Sequence, residues 1–222
     1  TIIGNKACGI SNNDVSNPIN GRDNVVIGTY AGYELTEGNF NVILGSGDSS
    51  NGSAGYNLTT GEGNLISGYL AGRNLSSGSF NVLYGKNAGR SIATSNRNVI
   101  IGNDAGYLLG SGDTVPANVS NDNLILGNEA GRNITFGTGI LMIGQRAGYS
   151  ALSAEDCLYI GNDAGRENLN GGGNTLIGNN SGRNNMGDNN TMIGVNAGRY
   201  SESASFNTFI GYEAGRGDAF TA

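Results

Sequence analysis

One motif returns along the whole chain, and its period limits the fold more than any other feature. Residues 98–107 read NVIIGNDAGY: an apolar run, a Gly, two polar residues, then Ala-Gly. Alone, this resembles a strand feeding a glycine-rich phosphate loop. Aligned on Gly102, however, the same pattern recurs at Gly4, Gly28, Gly45, Gly68, Gly85, Gly127, Gly144, Gly161, Gly178, Gly194 and Gly211. Of the eleven intervals between these twelve copies, seven are 17 residues, one is 16 and three are 23 to 25. Clear copies are NVVIGTYAGY (24–33), NVLYGKNAGR (81–90), NLILGNEAGR (123–132), NTLIGNNSGR (174–183) and NTFIGYEAGR (207–216). A phosphate loop occurs once, at one crevice, and opens a helix. Twelve copies with no helical apolar stripe after them are rungs of a ladder, not nucleotide sites.

Seventeen residues are too few for a helical hairpin, and 40 Gly among 222 residues argue against helix in any case. The period suits one coil of an all-β solenoid, stacked at about 4.8 Å, so that twelve coils make a rod roughly 60 Å long. The expected coil has a first strand before the marker Gly, a turn at G-x-x-A-G, and a short second strand carrying a recurring Leu (Leu35, Leu75, Leu169). The whole chain, 1–222, reads as one repetitive domain. The long intervals place loop insertions within 9–23, 46–53 and 107–122. The opening TIIG falls in mid-pattern, which points to a segment of something longer.

Three consecutive positions before the marker are apolar in most copies, as in Val99-Ile100-Ile101 and Leu141-Met142-Ile143. Strand neighbours point to opposite faces, so continuous apolarity means that both faces are covered. One face fills the coil. The simplest cover for the other is the same strand from symmetry mates, which predicts a homotrimer with Ile43, Ile100, Ile125, Met142, Leu176, Met192 and Phe209 at its core. A lead Asn recurs at Asn24, Asn41, Asn64, Asn81, Asn98, Asn123, Asn174, Asn190 and Asn207 and predicts an internal hydrogen-bonded ladder. After Ala-Gly comes Arg or Tyr (Tyr33, Arg73, Arg90, Tyr107, Arg132, Tyr149, Arg166, Arg183, Arg199, Arg216), a column holding seven of the 12 basic residues. Such side chains lie over the next coil or pair with acids of a neighbouring chain. They also suit sugar or anion contacts.

Composition removes several functions. The net charge is −6, so no nucleic-acid partner is expected. The absence of His removes the commonest general base and metal ligand. Cys8 and Cys157 have no metal or redox spacing. No run of 18 apolar residues exists, so no membrane insertion by a helix is expected. Asp48, Asp113, Asn118 and Asp122 could offer oxygen ligands to Ca²⁺, but no EF-hand or G-G-x-G-x-D spacing occurs, and neither metal nor cofactor is expected. Asp104, Glu129, Asp163 and Glu213 share a column. Stacking would bring Asp104 and Glu129 to about 5 Å, an acid–nucleophile distance, but the column also holds Asn and Arg, so no enzyme is expected. Thr175, Thr191 and Thr208 form too short a rank for an ice-binding face.

NTFIGYEAGR and NTLIGNNSGR resemble the N-T-x-I-G-x-x-A-G repeats of phage tail fibres and related trimeric fibre proteins, and are similar in style to the shorter head repeats of trimeric autotransporter adhesins. The resemblance covers Thr1 to Gly217, although the period is longer than the adhesin repeat and the insertions are no part of the pattern. It implies a homotrimeric fibre segment, on a virion or a cell surface, attaching to a target envelope through surface glycan. The expected ligand-facing residues are Tyr56, Asn57, Asp113, Asn118 and Arg132. The alternatives are a passive shaft with its binding tip elsewhere, or a tailspike-type glycosidase.

Overall fold

A computed structural model describes residues 1–9, 20–111, 120–203 and 205–217. Its strands are β1 (Ile2–Ile3), β2 (Val25–Ile27), β3 (Val42–Leu44), β4 (Leu65–Ser67), β5 (Val82–Tyr84), β6 (Val99–Ile101), β7 (Leu124–Leu126), β8 (Phe136–Thr138), β9 (Leu141–Ile143), β10 (Ser153–Glu155), β11 (Leu158–Ile160), β12 (Thr175–Ile177), β13 (Thr191–Ile193) and β14 (Thr208–Ile210). Twelve of them, all but β8 and β10, form one parallel sheet in strict chain order. Every register pairs equivalent residues, as in Ile100 with Ile125 and Ile125 with Met142. The fold is therefore a β-solenoid, and each chain closes its own coils. Eleven steps of about 4.8 Å make the wall roughly 50 Å long.

In the twelve-stranded sheet no strand exceeds three residues, because the marker Gly ends each one. Gly102 has φ +142, and a Cβ placed on it would lie 2.3 Å from the Gly127 carbonyl oxygen. Only glycine fits both the angle and the approach. The turn then passes through a left-handed residue two places on, whatever its side chain: Leu70 (φ 59), Asp104 (φ 53) and Arg146 (φ 55) all adopt it. The Ala after it is buried, and Ser181 takes its place in one coil, donating to the Met192 carbonyl at 2.8 Å.

The central strand residue points into the coil. Ile43, Ile100, Ile125, Met142, Leu176 and Met192 are fully buried within a single chain, and Phe209 is packed against the same core. This corrects the expectation that these seven line an axis between chains. A run of three apolar residues hides which one faces inward. The central residue does, and its two neighbours form the outer wall, where Ile27, Leu65, Tyr84, Ile101 and Ile210 are exposed.

The opposite wall departs from the expected second strand. Its coils bond to one another through the backbone, for example Gly32 N–H to the Ala54 carbonyl at 3.0 Å and Gly106 N–H to Ala130 at 2.9 Å, but mostly without strand geometry. Among the described residues only β8 and β10 pair there. Leu35 and Leu75 are buried as expected. Leu169 is exposed, and Asn168 takes the inward place. That inward column runs Leu35, Leu58, Leu75, Ile92, Leu109 and Ile134, then shrinks to Ala151, Asn168, Asn185 and Ser201. The strand column grows over the same coils, from Val26 and Ile43 to Met142, Tyr159, Met192 and Phe209. The two walls exchange volume, as close packing requires.

The Asn ladder forms as expected at all nine positions. Wherever another Asn follows on the next coil, the Oδ1 accepts from its backbone N–H and amide, as Asn81 does from Asn98 at 3.0 and 3.1 Å, while Asn123 accepts from the Ile140 N–H at 3.0 Å. The ladder amides from Asn24 to Asn174 also donate to a carbonyl across the coil, as from Asn64 to Gly78 at 3.0 Å and from Asn81 to Ser95 at 3.0 Å, whereas Asn207 donates to the nearby Ser205 carbonyl at 3.1 Å. Ile140 and Cys157 interrupt the column. At Cys157 the carbonyl that an Asn would satisfy is Gly171, and it receives the thiol at 3.3 Å and the buried Tyr159 hydroxyl at 3.5 Å. Burial raises the Tyr159 hydroxyl well above the usual tyrosine range.

Candidate functional site

The Arg/Tyr column lies outside the coil, immediately after the left-handed Gly of Ala-Gly. Removing the insertion from the second long interval puts Tyr33 and Tyr56 on successive coils, and their rings stack with centroids 5.0 Å apart and planes 14° apart. Tyr30, on the left-handed turn position, joins them at 5.5 Å from Tyr33 and 6.4 Å from Tyr56. Lys6 Nζ lies 5.2 Å from the Tyr30 centroid and donates to its hydroxyl at 3.2 Å, which raises the lysine pKa. Burial, then the neighbouring Tyr33 hydroxyl, raises the Tyr56 pKa.

The insertion at 46–53 folds onto this cluster. Asp48 and Gly52 form an antiparallel bridge. The Asp48 carboxylate accepts from the Ser50 and Asn51 amides at 2.8 and 2.7 Å, and these bonds, Asn51 first, hold its pKa below the usual range. Gly52, at φ +83, sits so close to Tyr56 that a Cβ would lie 2.9 Å from the ring. Arg73 clamps the far side: its guanidinium stands 5.8 Å from the Tyr56 centroid, and its Nε donates to the Asn51 carbonyl. The insertion is thus a buttress for three tyrosine rings flanked by two cations.

Of the sequence-predicted ligand residues, Tyr56 lies in this cluster. Asn57 is beside it, with its N–H bonded to the Arg73 carbonyl at 3.0 Å. Arg132 shares the column but lies four coils away, about 19 Å. There it is held between Tyr107 and Tyr149, with centroids 5.1 and 6.0 Å from its guanidinium carbon. Asp113 and Asn118 lie outside the described residues, as do residues 10–19 of the first insertion window and 112–119 of the third. Sequence reasoning missed Tyr30 and Lys6. The signal for them was the in-register stacking of adjacent coils, which also puts Lys6 and Tyr30 at the same turn position.

The carboxylate column is a turn. Asp104 accepts from the Asn87 amide at 2.7 Å, Asp163 pairs with Arg146 at 2.9 Å, and Glu213 pairs with Arg216 at 2.9 Å. These three acids are tied to cations and amides. Among the described residues no three His, Cys, Asp or Glu side chains group as for a metal, and no helix is long and apolar enough to cross a membrane. Cys8 and Cys157 are free and buried, and desolvation pushes the Cys8 thiol up to about 11. No protein-family model, curated protein or solved structure matches this chain.

Proposed function

We propose that this chain is a segment of a homotrimeric fibre, borne on a virion or a cell surface, that attaches to a target envelope through surface glycan. The outer face of the twelve-stranded sheet carries the reading. From β2 to β14 its two ranks hold Val, Leu, Ile, Thr, Ser and Tyr, and no charged residue. Depletion of charge with retained apolar area is the mark of an interface core. The occupant is two further copies of the same chain, because only an object with the same in-register period meets such a strip along its full length. The Tyr30–Tyr33–Tyr56 cluster supplies aromatic faces and polar hydroxyls, the surface chemistry that sugars pack against.

Light scattering tests the assembly, with a mass near three times 22.7 kDa expected. Ile101→Lys with Leu126→Lys, both on the outer wall, should yield a folded monomer. A wild-type monomer at micromolar concentration sinks the trimer. On a glycan array, Tyr56→Ala should abolish retention by neutral glycans. Retention unchanged by Tyr56→Ala and by removal of residues 47–52 would leave the segment a passive shaft.

A further inference from the structure

The column changes character toward its C-terminal end. From Tyr107 to Arg166 it alternates, and Arg132 and Arg166 each rest on Tyr149. Beyond that, four successive coils carry Arg166, Arg183, Arg199 and Arg216 with no Tyr among them. The turn acid compensates the two outer members: Asp163 is 3.8 Å from Arg166, and Glu213 is 2.9 Å from Arg216. In the two coils between, Asn180 and Asn196 stand at the acid's position. Among the described residues no carboxylate lies within 4.0 Å of Arg183 or Arg199. The Nε atoms of both are buried without a hydrogen-bond partner, as are those of Arg90, Arg132 and Arg166 in the same column, so among the four successive arginines it is the missing carboxylate that sets these two apart. The Arg199 guanidinium lies 5.0 Å from the Tyr200 centroid and reaches only Asn196 Oδ1, at 3.5 Å.

Like charges on adjacent coils, about 4.8 Å apart, repel unless an anion lies between or over them. A guanidinium presents a planar fork of donors that matches the two oxygens of a carboxylate. A file of such forks with a tyrosine ring beside it suits a chain of sugar rings that carries carboxylates at regular intervals. A nucleic acid suits it less, because the file is one residue wide on a molecule of net charge −6. We infer that Arg183 and Arg199, flanked by Arg166 and Arg216, form a linear binding site for an acidic polysaccharide of the polyuronate class. This rests on the glycan-attachment reading and names a ligand class and a second location for it.

The test measures binding of the full chain to immobilised polygalacturonate by biolayer interferometry, beside a neutral dextran and a single-stranded DNA. Wild type should bind polygalacturonate, and binding should weaken as salt rises. Arg183→Gln with Arg199→Gln should weaken it about tenfold or more, the loss of about 1.4 kcal/mol or more. Arg97→Gln, in an exposed pair with Asp122 on another edge, should bind as wild type does. Circular dichroism establishes that each variant is folded, and single substitutions replace the double one if it is not. Equal binding by the double variant and wild type, no binding by wild type, or DNA bound as tightly as polygalacturonate each overturns the inference. Neutral glycans retained at the Tyr56 cluster in any of these cases leave the attachment reading standing. A wild type that binds no glycan of any kind removes both.

Discussion

At the residue scale, backbone angles decide more than side chains do. All the marker glycines but Gly45 hold φ values between 126 and 142, and all but the last stand directly beneath the carbonyl of the next coil. Gly102→Ala should therefore cost about 2–4 kcal/mol, combining a disfavoured angle with a clash against backbone that cannot swing aside. Urea unfolding followed by circular dichroism checks this, and an unchanged midpoint would mean that neighbouring coils separate at little cost. The marker glycines, the buried Ala and the Asn column were all legible in the sequence, because each needs a specific residue type. The inward strand residue was not. In Val99-Ile100-Ile101 all three are equally apolar, so no alternation reveals that Ile100 is the one inside. The left-handed turn position was also invisible, since Leu70 and Arg146 occupy it against their own preference.

At the scale of the element, the Asn ladder and the sheet are partners. Asn98 donates to Asn81 and to the Ser120 carbonyl at 2.8 Å, and accepts from Asn123. Asn98→Ala leaves buried donors and acceptors unmatched and should cost about 2–4 kcal/mol. Asn207→Ala, on the last coil and partly solvated, should cost less than half as much, as parallel thermal melts would record. Equal costs would show that the ladder does not act through burial. The second strand failed as an expectation because two close-packed turns leave only β8 and β10 enough extended backbone to pair. The insertion at 46–53 was located from spacing alone, but its contact with Tyr56 was not. That contact depends on Gly52 and Arg73, which belong to the loop and to the following coil.

Across the whole molecule, each coil touches only the coils before and after it, so stability is a sum of neighbour terms. Amide hydrogen exchange should accordingly be graded. Backbone amides in β5 to β9 should exchange about tenfold or more slowly than those in β1 and β14, since the terminal coils open first. Uniform protection along the rod would instead require a single cooperative unit. The Tyr cluster and the Arg file lie at opposite ends of one column. The sequence exposed that column as a list of residues, but the difference between its ends appears only when the acids and rings beside each member are placed.

In-register stacking has one more consequence. Because every coil meets the next in the same way, the rod behaves as a ruler whose unit is written in codons. Gain or loss of seventeen codons between near-identical copies would lengthen or shorten the rod by about 4.8 Å without redesign of either end. The exchange of volume between the two walls restrains this slippage. A coil built on Ile100 and Leu109 has a large residue on both sides, whereas one built on Tyr159 and Asn168 does not. Copies should therefore be interchangeable within each half of the rod and not between halves, which gives the ruler two scales that recombination cannot freely mix.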